Sequence, residues 1–195
     1  MTKKNSKNTK GKIVAAAWQL FYQQGYDDTT IDEIVEASGT SRGSFYHYFD
    51  GKDALLSSLS YLFDEKYDEL IETMSPELSP LDKLIFINQE LFMMIENTVS
   101  VSLLCQLFSS QLITKGERHL LEPSRTYYKL LRQITIEGQQ SGLFRDDLSI
   151  NDITKAYAVF ERGLMYDWCL CNGNYSLYQY SSITLPLFLK GFCKN

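Results

Sequence analysis

The stretch from residue 29 to 55, TTIDEIVEASGTSRGSFYHYFDGKDAL, admits few structures. Thr30 with Glu33 three residues on makes a capping box, in which hydroxyl and carboxylate satisfy two amides left over at a helix start. Ile31, Ile34 and Val35 then share one apolar face. Gly39 stands where a helix ends on a left-handed residue. Ser41 is placed to cap a second helix from Arg42 to about Tyr48. Two short helices joined by a tight turn make a helix-turn-helix.

At about 100° per residue, Phe45 and Phe49 lie close together on one side of the second helix and form its buried face. Gly43, Ser44 and His47 fall opposite them, Tyr46 and Tyr48 on the flanks, and Arg42 at the N-terminal tip. The outward surface is small, hydrogen-bonding and aromatic, without a carboxylate. An α-helix of this kind fits the DNA major groove, where such groups reach base edges and phosphates. A solvated helix on an ordinary bundle is the plainer reading, but two tyrosines and a histidine around a glycine are unusual for one.

From Lys12 to Leu56 the chain resembles the N-terminal domain of the TetR family of bacterial transcriptional regulators. The matching pieces are LFYQQGYDDTT at the end of a first helix, then IDEIVEASGTSRGSFYHYF, then GKDALL. Beyond Leu56 the likeness rests on length, helical pattern and the phrases EGQQSGLFRDDLS and FERGLMYDW. The resemblance implies DNA contacts from Ser41, Arg42, Gly43 and Ser44 at the start of the recognition helix, and from Tyr46, His47 and Tyr48 to backbone and adjacent bases. It implies a phosphate held by Lys52, and hydroxyl and amide groups offered to phosphate by Thr29 and Thr30 at a helix N-terminus.

Apolar residues make up 44% of the chain, as in a packed globular protein. No apolar run approaches the roughly 20 residues of a membrane span, and the start, MTKKNSKNTKGK, lacks the apolar core and cleavage site of a signal peptide. The expectation is a cytoplasmic protein that does not enter membranes. Cys169 and Cys171, two apart on a helix, point about 200° away from each other, so they do not chelate one ion. No metal site and no cofactor are expected, and buried thiols suit a reducing compartment. The net charge of −5 argues against indiscriminate coating of nucleic acid, yet residues 1–52 hold seven basic and six acidic residues, near neutrality. Lys3, Lys4, Lys7, Lys10 and Lys12 crowd the first dozen positions. Such an arm gains DNA affinity by counterion release, or serves equally as a solubilising tail.

In chain order, residues 1–8 read as disordered and a first helix runs from Thr9 to Gly25, with Ile13, Val14, Ala17, Leu20 and Phe21 on one face. A long fourth helix, from Lys52 to Met74, packs through Leu55, Leu59, Leu62, Phe63 and Leu70 and ties the DNA-reading head to the body. Apolar spacing places further helices at about 80–97, 99–115, 118–141, 149–172 and 175–193, with strand signals absent. The fold class is all-α, with about nine helices: a helix-turn-helix DNA-binding domain over residues 1–51 and a larger effector-binding and dimerisation domain over 52–195. Pro186 should kink the last helix.

The helix at 149–172 carries two stripes. Ile153, Tyr157, Phe160, Leu164 and Trp168 make one; Ala156, Gly163 and Leu170, with Val159 beside them, make the other. The last helix is apolar around much of its girth, including Tyr180, Ile183 and Leu187. This pair reads as half of an intermolecular four-helix bundle, or as helices buried on both faces in a large monomeric core; the family resemblance favours the homodimer. An effector site enclosed by the middle helices would draw on Tyr61, Phe86, Glu90, Met93, Met94, Phe108, Tyr127, Tyr128, Tyr157, Phe160 and Trp168, although aromatics at helical spacing also make plain core. Glu90, Glu96 and Asp167 are the acids most nearly embedded in apolar stretches.

The function this adds up to is a sequence-specific regulator, a repressor released from a pseudo-palindromic double-stranded operator by a small, largely apolar ligand. The alternative is a DNA-binding dimer without a small ligand, controlled by a partner protein or acting constitutively. An enzyme would need a converging nucleophile, base or metal set; with His47 and His119 the only histidines, none is expected.

Overall fold

The computed structural model describes residues 3–56, 58–113 and 118–194, leaving aside the side chains of 3–8 and 59–62. The chain divides into two compact units, Met1–Tyr61 with Ser102–Leu120, and Leu62–Val101 with Leu121–Asn195. Among the described residues ten α-helices follow one another, and the only β feature is a single antiparallel bridge between Phe144 and Cys193.

In the first unit α1 (Lys3–Gln24) begins six residues before the expected Thr9 and buries Ile13, Ala16, Ala17 and Phe21. It stops at Gly25, whose φ of 89° is open to glycine at little cost. Helix α2 (Ile31–Ser38) opens on the expected capping box: the Glu33 amide donates to Thr30 Oγ1 at 3.2 Å, and the Thr30 amide donates to Glu33 Oε2 at 2.7 Å. It ends on Gly39 at φ 62°. Helix α3 (Arg42–Tyr48) is capped by Ser41, which accepts from the Ser44 amide at 3.0 Å. Helix α4 (Lys52–Leu56) follows, and α7 (Val101–Ile113) adds Leu103, Leu104 and Leu107 to the buried set.

The expected single helix from Lys52 to Met74 is two helices, α4 and α5 (Leu59–Thr73). The break lies at Ser58, a buried residue whose amide donates to Leu55 O at 2.9 Å, three residues back. Its hydroxyl also donates to Leu55 O and accepts from the Trp18 indole at 2.8 Å. A serine hydroxyl on a nearby carbonyl competes with the helical ladder.

The second unit holds the rest of α5, then α6 (Pro80–Thr98), α8 (Thr126–Gln140), α9 (Ile150–Leu170) and α10 (Leu177–Leu189). Ser79 caps α6, whose first residue is proline, a position with no helical hydrogen bond to lose. Ser149 and Asp152 form a second capping box before α9. The helix expected at 118–141 begins only at Thr126; a short 3-10 turn at His119–Leu121 precedes it, and Pro123 lies in the gap. Helix α10 continues through Pro186. Among the described residues no single helix is long and apolar enough to cross a membrane, and the four cysteines are free thiols.

At the end of α8 the chain folds back so that the fully buried Phe144 ring lies on Gly138. A Cβ at position 138 would stand 2.1 Å from that ring. Alanine normally favours a helix over glycine by about 1 kcal/mol, but here overpacking wins. Gly138→Ala should lower unfolding free energy by about 1–3 kcal/mol; a chemical-denaturation midpoint at or above wild type would refute this.

Candidate nucleic-acid interface and buried polar core

Helix α3 is anchored by Phe45 and Phe49, 0% and 6% exposed, whose ring centroids lie 5.7 Å apart. The opposite surface is open: Ser41, Arg42, Gly43, Tyr46 and His47 are exposed, and Ser44 and Tyr48 half-buried. Arg42 reaches back to Asp32 of α2 at 3.2 Å, both side chains largely in solvent, while the His47 and Tyr48 rings meet edge to face. Gly43 has ordinary helical backbone, and a Cβ built on it would meet only Ser41 Oγ at 3.9 Å, an ordinary contact. Nothing among the described residues demands glycine there.

Three positions expected to touch phosphate are engaged internally. Thr29 is 1% exposed, and its hydroxyl donates to Gly25 O at 2.7 Å, four residues back, so its side chain faces the core. The Thr30 hydroxyl is held in the capping box, where it also donates to Glu33 Oε2 at 2.8 Å. Those hydrogen bonds hold the Glu33 carboxyl below its ordinary range. Lys52 Nζ donates to the carbonyl oxygens of Tyr26, Asp27 and Thr29.

In the second unit a carboxylate that the sequence reading passed over lies at the centre. Glu161 of α9 is 2% exposed. It accepts hydrogen bonds from Asn88 Nδ2 of α6 at 2.8 Å and from Tyr127 Oη of α8 at 2.6 Å. Tyr157, one turn earlier on α9, donates to Leu84 O at 2.8 Å. The Tyr67 ring of α5 lies 5.0 Å from that of Tyr127, centroid to centroid. Beside them Arg125 grips Asp64 with two bonds, at 2.9 and 3.1 Å. Burial pushes the Glu161 carboxyl up, against the pull of its hydrogen bonds. Burial, reinforced by Glu161, likewise pushes the Tyr67, Tyr127 and Tyr157 hydroxyls well up. Asn88 Oδ1, on a residue fully out of solvent, has no partner among the described residues. Turning the amide over would let Oδ1 accept the proton of a neutral Glu161, consistent with that shift. The clue in the sequence was register: Glu161 stands four residues after Tyr157 and three before Leu164, on the inward stripe.

Of the expected effector-site residues, Tyr127 and Tyr157 meet in this cluster, with Tyr128 edge-on to Tyr127 and bonded by Arg162 at 3.1 Å. Phe86 and Met94 are half-buried on α6, whereas Met93 is exposed. Glu90 pairs with Lys66 at 3.4 Å. Phe160 stacks on Phe188 of α10 at 4.4 Å, and the Trp168 indole donates to Tyr175 O at 2.9 Å, so both serve the packing at the end of the chain. Phe108 belongs to the first unit, and the side chain of Tyr61 lies outside the described residues. The acids singled out as embedded, Glu96 and Asp167, accept from Tyr178 N and Tyr175 Oη respectively.

Of the second stripe, Val159, Gly163 and Leu170 are exposed and Ala156 is half-buried. Tyr180, Ile183 and Leu187 of α10 are exposed as well, Ile183 and Leu187 by more than 60%. Tyr166, missed in the sequence, extends the α9 row, four positions before Leu170.

Residues 13–59 match the profile described as bacterial regulatory proteins, tetR family, and residues 63–191 that of the YsiA-like protein, C-terminal region. The fatty acid metabolism regulator protein of Bacillus subtilis (strain 168) is 24% identical over 184 residues, covering 92% of this chain and 93% of the relative. A FadR transcriptional repressor of Thermus thermophilus, solved with lauroyl-CoA, is similar with a TM-score of 0.78 at 23% identity, covering 95% of each chain. The Bacillus subtilis FadR, solved with stearoyl-CoA, gives 0.71 at 20%, covering 93% of this chain and 98% of that one.

An acid whose folded-state affinity for its proton is raised adds stability below its unfolded pKa, and that stability is lost as pH rises through the folded value. Glu161 is such a group. Glu161→Gln, a mimic of the neutral acid, should therefore melt increasingly above wild type as pH is raised from about 5 to 8. A melting-temperature difference that stays constant or reverses over that range would show the buried carboxyl to be ionised at no penalty.

Proposed function

The chain belongs to the tetR family of bacterial regulatory proteins, and from that premise we propose a homodimeric cytoplasmic repressor that leaves its operator when a ligand fills its helical body. It is a DNA-binding transcriptional regulator, and α3 is its recognition helix. Gly43 carries the DNA-facing assignment. A glycine inside a helix costs about 1 kcal/mol relative to alanine, and no packing among the described residues asks for it. Close approach of a partner backbone does. Ser41, Arg42 and Ser44 then address base edges or phosphates, with Tyr46, His47 and Tyr48 alongside; α3 itself carries no carboxylate, and Arg42 would exchange its exposed partner Asp32 of α2 for DNA.

The exposed rows Val159–Gly163–Tyr166–Leu170 and Tyr180–Ile183–Leu187 support pairing of two chains through α9 and α10. Their spacings of three and four residues are those of helices that mesh along a seam. A two-fold dimer offers two recognition helices about one helical turn of DNA apart. For the ligand, the B. subtilis relative is named for fatty acid metabolism, and the two solved repressors hold lauroyl-CoA and stearoyl-CoA; we take a long-chain acyl thioester. It acts by unequal affinity for two conformations of the dimer, one able to match both half-sites and one not.

Gly43→Ala separates folding from function: the variant should be as stable as wild type or up to about 1 kcal/mol more so, yet bind operator DNA at least about tenfold more weakly. Tyr46→Ala should lose binding with an unchanged melting temperature. Unimpaired gel-shift affinity in both variants would remove α3 from the interface. Lauroyl-CoA, but not free coenzyme A, should raise the melting temperature and release labelled operator. A compound-independent complex would leave the ligand-free regulator.

A further inference from the structure

We propose that Lys52 is a positioning residue of the DNA-reading head, clamping the turn before α2, and not a phosphate contact. This rests on the DNA-binding role of α3. An ammonium group has three N–H donors and no others. Those of Lys52 meet Tyr26 O at 2.5 Å, Thr29 O at 2.8 Å and Asp27 O at 3.2 Å, and the same nitrogen stands 4.3 Å over the centre of the Tyr26 ring. Among the described residues no carboxylate lies within ion-pair distance of it. The neighbouring Asp53 accepts the Tyr26 hydroxyl, which burial and this bond push well above its usual pKa. Two consecutive residues at the start of α4 thus grip the α1–α2 turn by its backbone and by its aromatic side chain.

The consequence is topological. From Tyr26 the chain runs through α2, the Gly39 turn, α3 and the Asp50–Gly51 bend, and Lys52 then fastens it to its own starting point. The helix-turn-helix is a ring whose backbone closure is the Lys52 ammonium, with Asp53 holding the Tyr26 side chain beside it. Carbonyls of residues 26, 27 and 29 converge on a single point only in one conformation of the turn, and the next residue, Thr30, is the cap that sets where α2 begins. For Lys52 to reach a phosphate it would have to let go of all three. Removing the clamp leaves each helix its own caps but frees the α2–α3 pair to shift against α4, and base readout tolerates such shifts poorly. Attraction to the phosphate backbone, set by other cations, does not depend on that register.

The test uses full-length wild type, Lys52→Met and Lys52→Arg, the duplex that wild type enriches from a random pool, and a scrambled duplex. For Lys52→Met we expect affinity for the enriched duplex to fall about tenfold or more, with scrambled-duplex affinity nearly unchanged and the slope of log affinity against log salt retained. Arginine should not rescue, because a planar fork cannot converge on one point as an ammonium does. A phosphate contact would instead weaken both duplexes alike, lower the slope by about 0.9 per protomer and tolerate arginine. A mere loss of stability would lower both affinities together by the unfolded fraction. Either pattern overturns the proposal. Should Lys52→Met fail to fold, the wild-type protein labelled with 15N-lysine answers: the Lys52 Nζ resonance stays in place on adding the enriched duplex if the clamp holds, and a shift overturns it. A wild type that enriches no sequence would overturn the regulator reading and the clamp together.

Discussion

The seven residues of α3 cannot hold a helix by themselves; isolated helices need about 12–15 residues even to be marginal in water. What holds this one is the burial of Phe45 and Phe49. Each phenylalanine put away contributes about 1.5–3 kcal/mol, enough to outweigh the roughly 1 kcal/mol that Gly43 takes from helix propensity. Because both rings lie on one side, their burial also decides which way the other side chains look. Exposure of Tyr46 and His47 is a consequence of that anchoring, and the surface proposed to meet DNA needs no separate device to orient it.

Signals confined to a few consecutive residues were fully legible in the sequence. The Thr30–Glu33 box, the Ser41 cap and the left-handed Gly39 each span four residues or fewer, and each stands where the pattern put it. What escaped depends on partners far along the chain. The break at Ser58 involves Trp18, forty residues earlier. Lys52 was given to a phosphate by the family resemblance, and the carbonyls that meet it lie 23 to 26 residues back. Thr29 was given to phosphate by the family resemblance alone; its hydroxyl bonds Gly25 O, only four residues back. For Glu161 the register pointed inward, but whether Asn88, 73 residues before it, would be there to meet it was not written locally. Phe160 and Trp168 show the other limit: aromatic residues at helical spacing look the same whether they line a ligand or pack a neighbouring helix.

The second unit handles acids in its interior in two ways. Asp64 is gripped by Arg125 through two bonds, in the paired geometry of a guanidinium and a carboxylate. Glu161 has hydroxyl and amide neighbours and, among the described residues, no cation bonded to it, and burial favours its neutral form. Together the two arrangements stitch α5 to α8, and α6 and α8 to α9. Polar contacts of this kind are satisfied in few registers, so the two conformations proposed for the regulator would be discrete ones rather than points on a continuum.

The two tryptophans are divided one to each unit, and both indoles donate a hydrogen bond: Trp18 to the Ser58 hydroxyl, Trp168 to the Tyr175 carbonyl. Indole emission is sensitive to that bond and to the polarity around it. Replacing either ring by phenylalanine would leave a single fluorophore, so the head and the body can each be watched melting, or answering a ligand, by native light alone.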